Sequence, residues 1–447
     1  MRCHPTVILF FCLVWLPVFS QDGPPLLDGY IRQAIGSNHG LREQQFLLEK
    51  NMLALEEARR LYLPDVGFGA SYTLAVGGRK IQFPVGDLLN PVYSTLNQLT
   101  QSNVFPQIEN VEEQFLPNNF YDARIRIRQP LINRELYYNR KIKEAAITLK
   151  EAEIAAFKRE LARDVQVAYY RYLQAGEAVH IYQNALALLA ENQRVNESLL
   201  RNDKIIPSVL ARVESEMSAV KAQQNQAATD HRNAAAYFNF LLNRPLDMPI
   251  ETDSTELAPF IVSAVLAQPA RREELDQLAA AREMNALATE MANAWKIPKV
   301  GAQVDVGSQN FDFQWGGYVL GGLSVEVPIW SAGRNKLRVQ QAQLDGMALG
   351  EKTQQVEQQI TLQVFTARNA LLAGIETWQG YEARLTATQR HYRDTERRYR
   401  EGTANYIELL DARTQTTLAA LEQSVALYDI FIKKAELDRA LAAYPLP

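Results

Sequence analysis

The two halves of this 447-residue chain carry the same ordered pieces at a nearly constant offset. A strand-like segment ends in Gln129-Pro130-Leu131-Ile132-Asn133 and leads into a very long helical stretch; Val327-Pro328-Ile329-Trp330-Ser331 opens a second one. Leu173 with Ala175-Gly176 lies deep in the first stretch, and Leu371 with Ala373-Gly374 lies at the matching place in the second. The Pro130/Pro328 and Gly176/Gly374 pairs are both about 198 residues apart, the mark of a duplicated unit. The expected organisation is a leader over residues 1–20, a first repeat over 21–245, a linker over 246–256 and a second repeat over 257–447.

From about Asn133 to Leu200 there is no proline, and Gly176 is the only glycine. A continuous helix of that length spans on the order of 100 Å at 1.5 Å per residue. The second stretch, from about Ser331 to Glu401, is as long. Its apolar positions Val356, Ile360, Val364, Ala367, Leu371, Ile375, Trp378, Tyr381 and Leu385 advance by three or four residues, the stripe of a helix packed along one seam. The breaks Asn202-Asp203-Lys204-Ile205-Ile206-Pro207 and Glu401-Gly402-Thr403-Ala404 each precede a returning helix, to about Leu242 and Ala443. Connections this short make antiparallel neighbours. A further helix leads towards the strands in each repeat, about Leu27 to Leu61 and Leu257 to Trp295.

The N-terminus has the pattern of a secretory signal: Arg2, an apolar run from Val7 to Val18, and Val18-Phe19-Ser20 before Gln21. A buried N-terminal strand is the bland alternative. Cys3 and Cys12 are the only cysteines and leave with such a signal, so no disulfide or thiolate chemistry is expected. Lys+Arg 47 against Asp+Glu 51 gives no basic surplus for nucleic acid. No later stretch approaches the ~20 apolar residues of a membrane helix. Entry into a membrane would then need strands closed into a barrel.

Four segments alternate with period two, at about 65–76, 120–131, 299–308 and 317–328. Val66, Phe68, Ala70 and Tyr72 alternate with small residues, and Ala123, Ile125 and Ile127 alternate with Arg124, Arg126 and Arg128. Val300, Ala302, Val304 and Val306 alternate with Gly301, Gln303, Asp305 and Gly307, and Leu323, Val325 and Val327 with Gly322, Ser324 and Glu326. A half-buried sheet in a soluble domain also alternates. The export pattern favours strands with one face to lipid and one to water. Barrels start at about eight strands, and an open edge in lipid is not tolerated. Four strands therefore require a cyclic oligomer that shares one barrel. Between the strands, 77–120 reads as a long prolyl loop and 308–317 as a short turn whose Phe311, Phe313 and Trp315 suit either an interfacial girdle or loop packing.

Leu63-Pro64-Asp65-Val66 and Ile297-Pro298-Lys299-Val300 lead into strands, Gln129-Pro130-Leu131 and Val327-Pro328-Ile329 end them, and Arg398-Tyr399-Arg400-Glu401-Gly402 continues through Tyr406-Ile407-Glu408-Leu409-Leu410-Asp411-Ala412-Arg413. In order, spacing and duplication these pieces resemble the TolC-like outer-membrane efflux proteins over essentially all of the mature chain. The resemblance implies a homotrimer with a transmembrane β-barrel of four strands per protomer and an all-α, coiled-coil helical barrel projecting into the periplasm. It implies an exit duct of an efflux or type I secretion system, in outer-membrane lipid, with a periplasmic adaptor and an inner-membrane RND or ABC transporter as partners.

It also implies a periplasmic gate at Glu408 and Asp411, which share a helix face at i and i+3, with Tyr399 helping to hold the mouth shut. A solvated helix face is the commoner fate of such a pair. The family's nearby arginine falls at Ala404 and its aspartate near Val209, so the latch differs here. The turns Asp203-Lys204 and Gly402-Thr403 are the expected adaptor-docking tips. Arg124, Arg126 and Arg128 would line the barrel lumen as a basic belt, partly offset by Asp305 and Glu326, or be neutralised there by ordinary salt bridging. Five scattered histidines, with no zinc, phosphate-loop or nucleophile motif, give no support to an enzyme or a cofactor. The remaining alternative is a periplasmic coiled-coil adaptor or a structural spanning protein.

Overall fold

The computed structural model describes residues 25–252 and 270–446. The expected leader over 1–20, with Cys3 and Cys12, lies outside the described residues, as do positions 253–256 of the linker and 257–269 of the second repeat. The elements in chain order are α1 (Pro25–Ser37), α2 (His39–Arg60), β1 (Asp65–Thr73), β2 (Lys80–Phe83), α3 (Val85–Thr100), β3 (Val111–Gln114), β4 (Phe120–Ile132), α4 (Arg134–Arg201), α5 (Pro207–Leu241), α6 (Glu273–Asn293), β5 (Lys299–Phe311), β6 (Gly317–Glu326), α7 (Arg334–Arg400) and α8 (Tyr406–Leu441). A strand pair, a helix of 68 or 67 residues and a returning helix of 35 or 36 residues thus occur twice.

Two units make up the chain. Lys50–Ile147 and Ala280–Leu349 form the sheet-bearing one; the remaining helical residues form the other. In the sheet unit the strands run antiparallel in the order β1-β4-β5-β6. Phe68, Ile125, Val306 and Val319 stand in one cross-strand row, and Val66, Ile127 and Val304 begin the next. This row set is exposed, to 74% at Phe68 and 73% at Val319. The ladder shifts register between Pro130 and Ile132, where proline has no N–H to donate. A Cβ at Gly307 would lie 2.5 Å from the Ala123 carbonyl oxygen, so only glycine fits there. Among the described residues of one chain the sheet is open, with β1 and β6 as its edges.

The segment expected as a long loop holds α3 and a small β2–β3 ladder as well. Asn90 organises it, its amide donating to the Ile108 carbonyl and accepting from the Ile108 N–H. The short turn after β5 packs on the same end of the sheet. Phe313 stacks between Tyr72 and Tyr121, with centroids 5.1 and 5.6 Å away, so at least this aromatic packs the loop.

In the helical unit, Tyr30 and Ile31 of α1 pack on Val165 and Tyr169 of α4 and on Phe238 of α5. The one helix expected from Leu27 to Leu61 is broken at Asn38. The Asn38 side chain caps the next helix by accepting from Leu41 N, and its amide donates to the Leu241 carbonyl. Leu371, with Val364, Ala367, Ile375 and Trp378, packs on Ile430, Leu437 and Leu441 of α8, as the helical stripe predicts. No described helix is long and apolar enough to cross a membrane.

Candidate functional site

The two long helices end in turns of one geometry. Asp203 (φ 53°) and Gly402 (φ 78°) take the left-handed position after α4 and α7. Asp203 N–H donates to Leu200 O at 3.0 Å and Lys204 N–H to Leu199 O at 2.9 Å; Gly402 donates to Tyr399 O at 3.0 Å and Thr403 to Arg398 O at 2.8 Å. This double closure satisfies the last carbonyls of each helix and reverses the chain sharply. The expected tips Asp203, Lys204, Gly402 and Thr403 are therefore the turns themselves, and all four are exposed.

Behind the second turn, Tyr392, Tyr399, Tyr406, Leu409, Leu410 and Ala412 form an apolar cluster with Val213 of α5. Ala404 and Val209 pack against it. The two positions where the resemblance sets an arginine and an aspartate are thus held by apolar contact. Tyr399 is 9% exposed, and its hydroxyl donates to Asn196 Oδ1 on α4. Asn196 is fully buried and donates in turn to the Asn192 carbonyl. Burial raises the Tyr399 phenol above its usual range, against the lowering effect of the Asn196 bond. Tyr406 is pushed up to about 12, chiefly by burial.

Glu408 and Asp411 both lie on the exposed face of α8. Glu408 has a local role as well. Asn405 caps α8 by accepting from Glu408 N at 2.9 Å, and its amide donates to Glu408 Oε1 at 2.9 Å. Arg398 Nη2 stands 3.6 Å from the other carboxylate oxygen. A negative charge in the first helical turn also suits the helix dipole. The Asn405-x-x-Glu408 spacing is a capping signal present in the sequence. Arg413 carries less of a signal: it follows Leu409, Leu410 and Ala412 and is buried. Its Nη2 lies 3.7 Å from Glu216 Oε2 on α5. Burial lowers its pKa, against the raising effects of Tyr406 and Glu216.

The strand arginines share one face of the sheet. Arg126 binds Asp305 through Nε and Nη2 at 2.9 and 2.7 Å, and Gln303 donates to the same carboxylate. Arg124 donates to Asp122 at 2.9 Å, and Tyr318 holds the other oxygen of Asp122. Arg128 stands opposite Asp65 in the ladder. Glu326 stands opposite Lys299 rather than opposite an arginine. Salt bridging, the alternative to a free basic belt, describes Arg124 and Arg126. Asp122 and Tyr318 were not picked out from the sequence. Their signal is the cross-strand register, which alternation alone does not fix. No group of His, Cys, Asp and Glu suited to a metal occurs among the described residues.

Residues 268–443 match the family model described as outer membrane efflux protein. Outer membrane protein TolC of Escherichia coli (strain K12) is 27% identical over 120 residues, 27% of this chain and 24% of that protein. The alignment thus spans about a quarter of that relative's length. The fold reaches further. The CmeC outer membrane channel of Campylobacter jejuni superposes with a TM-score of 0.73 at 13% identity, covering 94% of this chain and 86% of that one. The open-state MtrE outer membrane channel of Neisseria gonorrhoeae gives 0.71 at 18% identity, covering 94% and 89%. The resemblance to TolC-like outer-membrane efflux proteins stands, by sequence in the second half and by fold along the described chain.

Proposed function

We propose that three copies of this chain form an outer-membrane efflux channel, each giving β1, β4, β5 and β6 to one 12-stranded barrel. The observation that carries this reading is the open sheet. One face bears exposed Val66, Phe68, Val319 and Leu323, and both edges lack a partner among the described residues. An apolar patch of that kind is poorly tolerated in water and is the lipid-facing band of a barrel. Neighbouring copies would supply the missing edge pairing. The charged face, with its Arg124–Asp122 and Arg126–Asp305 pairs, then lines a water-filled lumen.

The helices project into the periplasm in this reading. The Asp203-Lys204 and Gly402-Thr403 turns meet a periplasmic adaptor that links the duct to an inner-membrane RND or ABC pump. The channel itself is passive and catalyses nothing. Glu408 and Asp411 from three copies bring about six carboxylates round the axis and favour cations at the mouth. Tyr399 acts inside the protomer, through Asn196, to hold α7 against α4.

The alternative, a periplasmic adaptor or spanning protein, has to leave the exposed sheet face in water. Membrane fractionation separates the two. Heat-sensitive oligomers in the outer membrane support the channel; soluble or inner-membrane material defeats it.

A further inference from the structure

We propose that a cleft in the helical unit, walled by α4, α5 and α8, binds amphipathic organic cations. Its volume is about 360 Å³, within the range of small-molecule pockets. Each helix turns one face to it: Gln174, Ala178 and Tyr182 from α4, Ala227 and Asp230 from α5, Ser424 from α8. The space exists because Ala175, Ala178 and Ala227 end at Cβ where longer side chains would meet. It is not general looseness. Ala185, Leu189 and Val220 pack closely further along α4 and α5 in one direction. In the other direction, Tyr170 stacks on Phe431 at 5.1 Å. Protein interiors rarely leave gaps larger than a water molecule.

Ser424 points to the occupant. It is 5% exposed, lines the cleft, and its Oγ has no hydrogen-bond partner among the described residues. Thr416 and Thr417 on the same helix close on carbonyls one turn back, at 2.9 and 3.2 Å. Ser424 does not, so a buried group able to donate and accept is left without a partner in the wall of the cleft. At the rim, Asp230 is exposed, takes the Gln226 amide on Oδ1 at 2.9 Å, and forms no ion pair among the described residues. The other polar lining side chains are neutral amides and the Tyr182 phenol. A ligand with an apolar body over the alanines and Leu421, an ammonium at Asp230 and a polar atom at Ser424 satisfies all three features. An anion meets the carboxylate unfavourably, and a hydrocarbon leaves Ser424 unpaired.

This inference stands apart from the pore reading, and its test keeps them separate. The full-length assembled protein carrying Ser424→Cys is treated with 2-(trimethylammonium)ethyl methanethiosulfonate or its anionic 2-sulfonatoethyl counterpart. Rates are normalised to free cysteine in the same detergent. The cation should be favoured about tenfold, the effect of a single nearby carboxylate of about 1.4 kcal/mol. Asp230→Asn should abolish the preference. Millimolar 1-naphthylmethylamine should slow the cationic reagent, and 1-naphthylmethanol should not. Ala178→Cys gives the same reading from the opposite wall if Ser424→Cys does not fold. Thiols unreactive at both positions, equal normalised rates, or equal protection by the alcohol would each overturn the proposal. Conductance of the same variants in planar bilayers reports on the pore independently.

Discussion

The Tyr399 hydroxyl donates to Asn196 Oδ1, joining the last turn of α7 to α4 inside a buried apolar cluster. Removing the donor leaves a fully buried amide oxygen unpaired, which costs about 1–3 kcal/mol. Tyr399→Phe should lower the melting temperature of the purified protein. The double variant Tyr399→Phe/Asn196→Leu should recover part of the loss, because it removes both polar partners. If the bond also restrains the mouth, Tyr399→Phe raises single-channel conductance; a variant with wild-type melting and conductance refutes both roles.

Buried tyrosines in this cluster set an alkaline limit. Burial raises Tyr399, and Tyr406 is pushed up to about 12, against about 10 in the unfolded chain. Between those values the unfolded state has released protons that the folded state retains. Stability therefore is complete below about pH 10 and falls as pH rises towards about 12. The Tyr406 hydroxyl has no hydrogen-bond partner among the described residues, so Tyr406→Phe sacrifices no bond to them. Melting curves across this window should fall less steeply for that variant, and an unchanged slope would remove Tyr406 from the account.

The two turns differ in one respect that is open to measurement. Gly402 holds φ 78° without strain, whereas Asp203 holds φ 53° with a side chain. Gly402→Ala should destabilise by about 1 kcal/mol, and Asp203→Gly should be neutral or stabilise by up to about 1 kcal/mol. A Gly402→Ala variant as stable as the wild type in denaturant titration, or an Asp203→Gly variant less stable than it, would contradict the strain argument. Because both tips are exposed, Lys204→Glu should leave stability unchanged while weakening adaptor capture in a pull-down, if these turns dock.

Much of this layout was legible in the chain. The C-terminal ends of α4 and α7 fall within one residue of the expected bounds, because the turn residues at Asp203 and Gly402 mark them directly. The four sheet strands follow from period-two alternation. Segment 77–120 was not legible beyond a loop. Pro84 and Pro91 argue against helix, yet α3 begins after Pro84 and accommodates Pro91 within its first half. The break at Asn38 depends on the Leu241 carbonyl, about 200 residues away in the chain. The same distance in sequence hides Asn196 from Tyr399 and Glu216 from Arg413. Glu408 and Asp411 were singled out by the family resemblance, their i, i+3 spacing being only consistent with it, and the capping role of Glu408 needed the Asn405 side chain in place.

That capping role shapes the test of the mouth. Glu408→Gln keeps a side chain able to serve the cap and removes only its charge. If three copies meet at one axis, as proposed, the double variant with Asp411→Asn takes about six negative charges from it at little cost to folding. Reversal potentials across a salt gradient should shift away from cation preference. A double variant as cation-selective as the wild type would place these carboxylates on a solvated outer face instead.

The shared barrel is tested most directly by the mass of the assembly. Native mass spectrometry of the protein extracted from outer membranes should give three chains per particle, because four strands with two open edges close only with neighbouring copies. A stable particle of one chain, extracted from the membrane and still folded, would contradict the account.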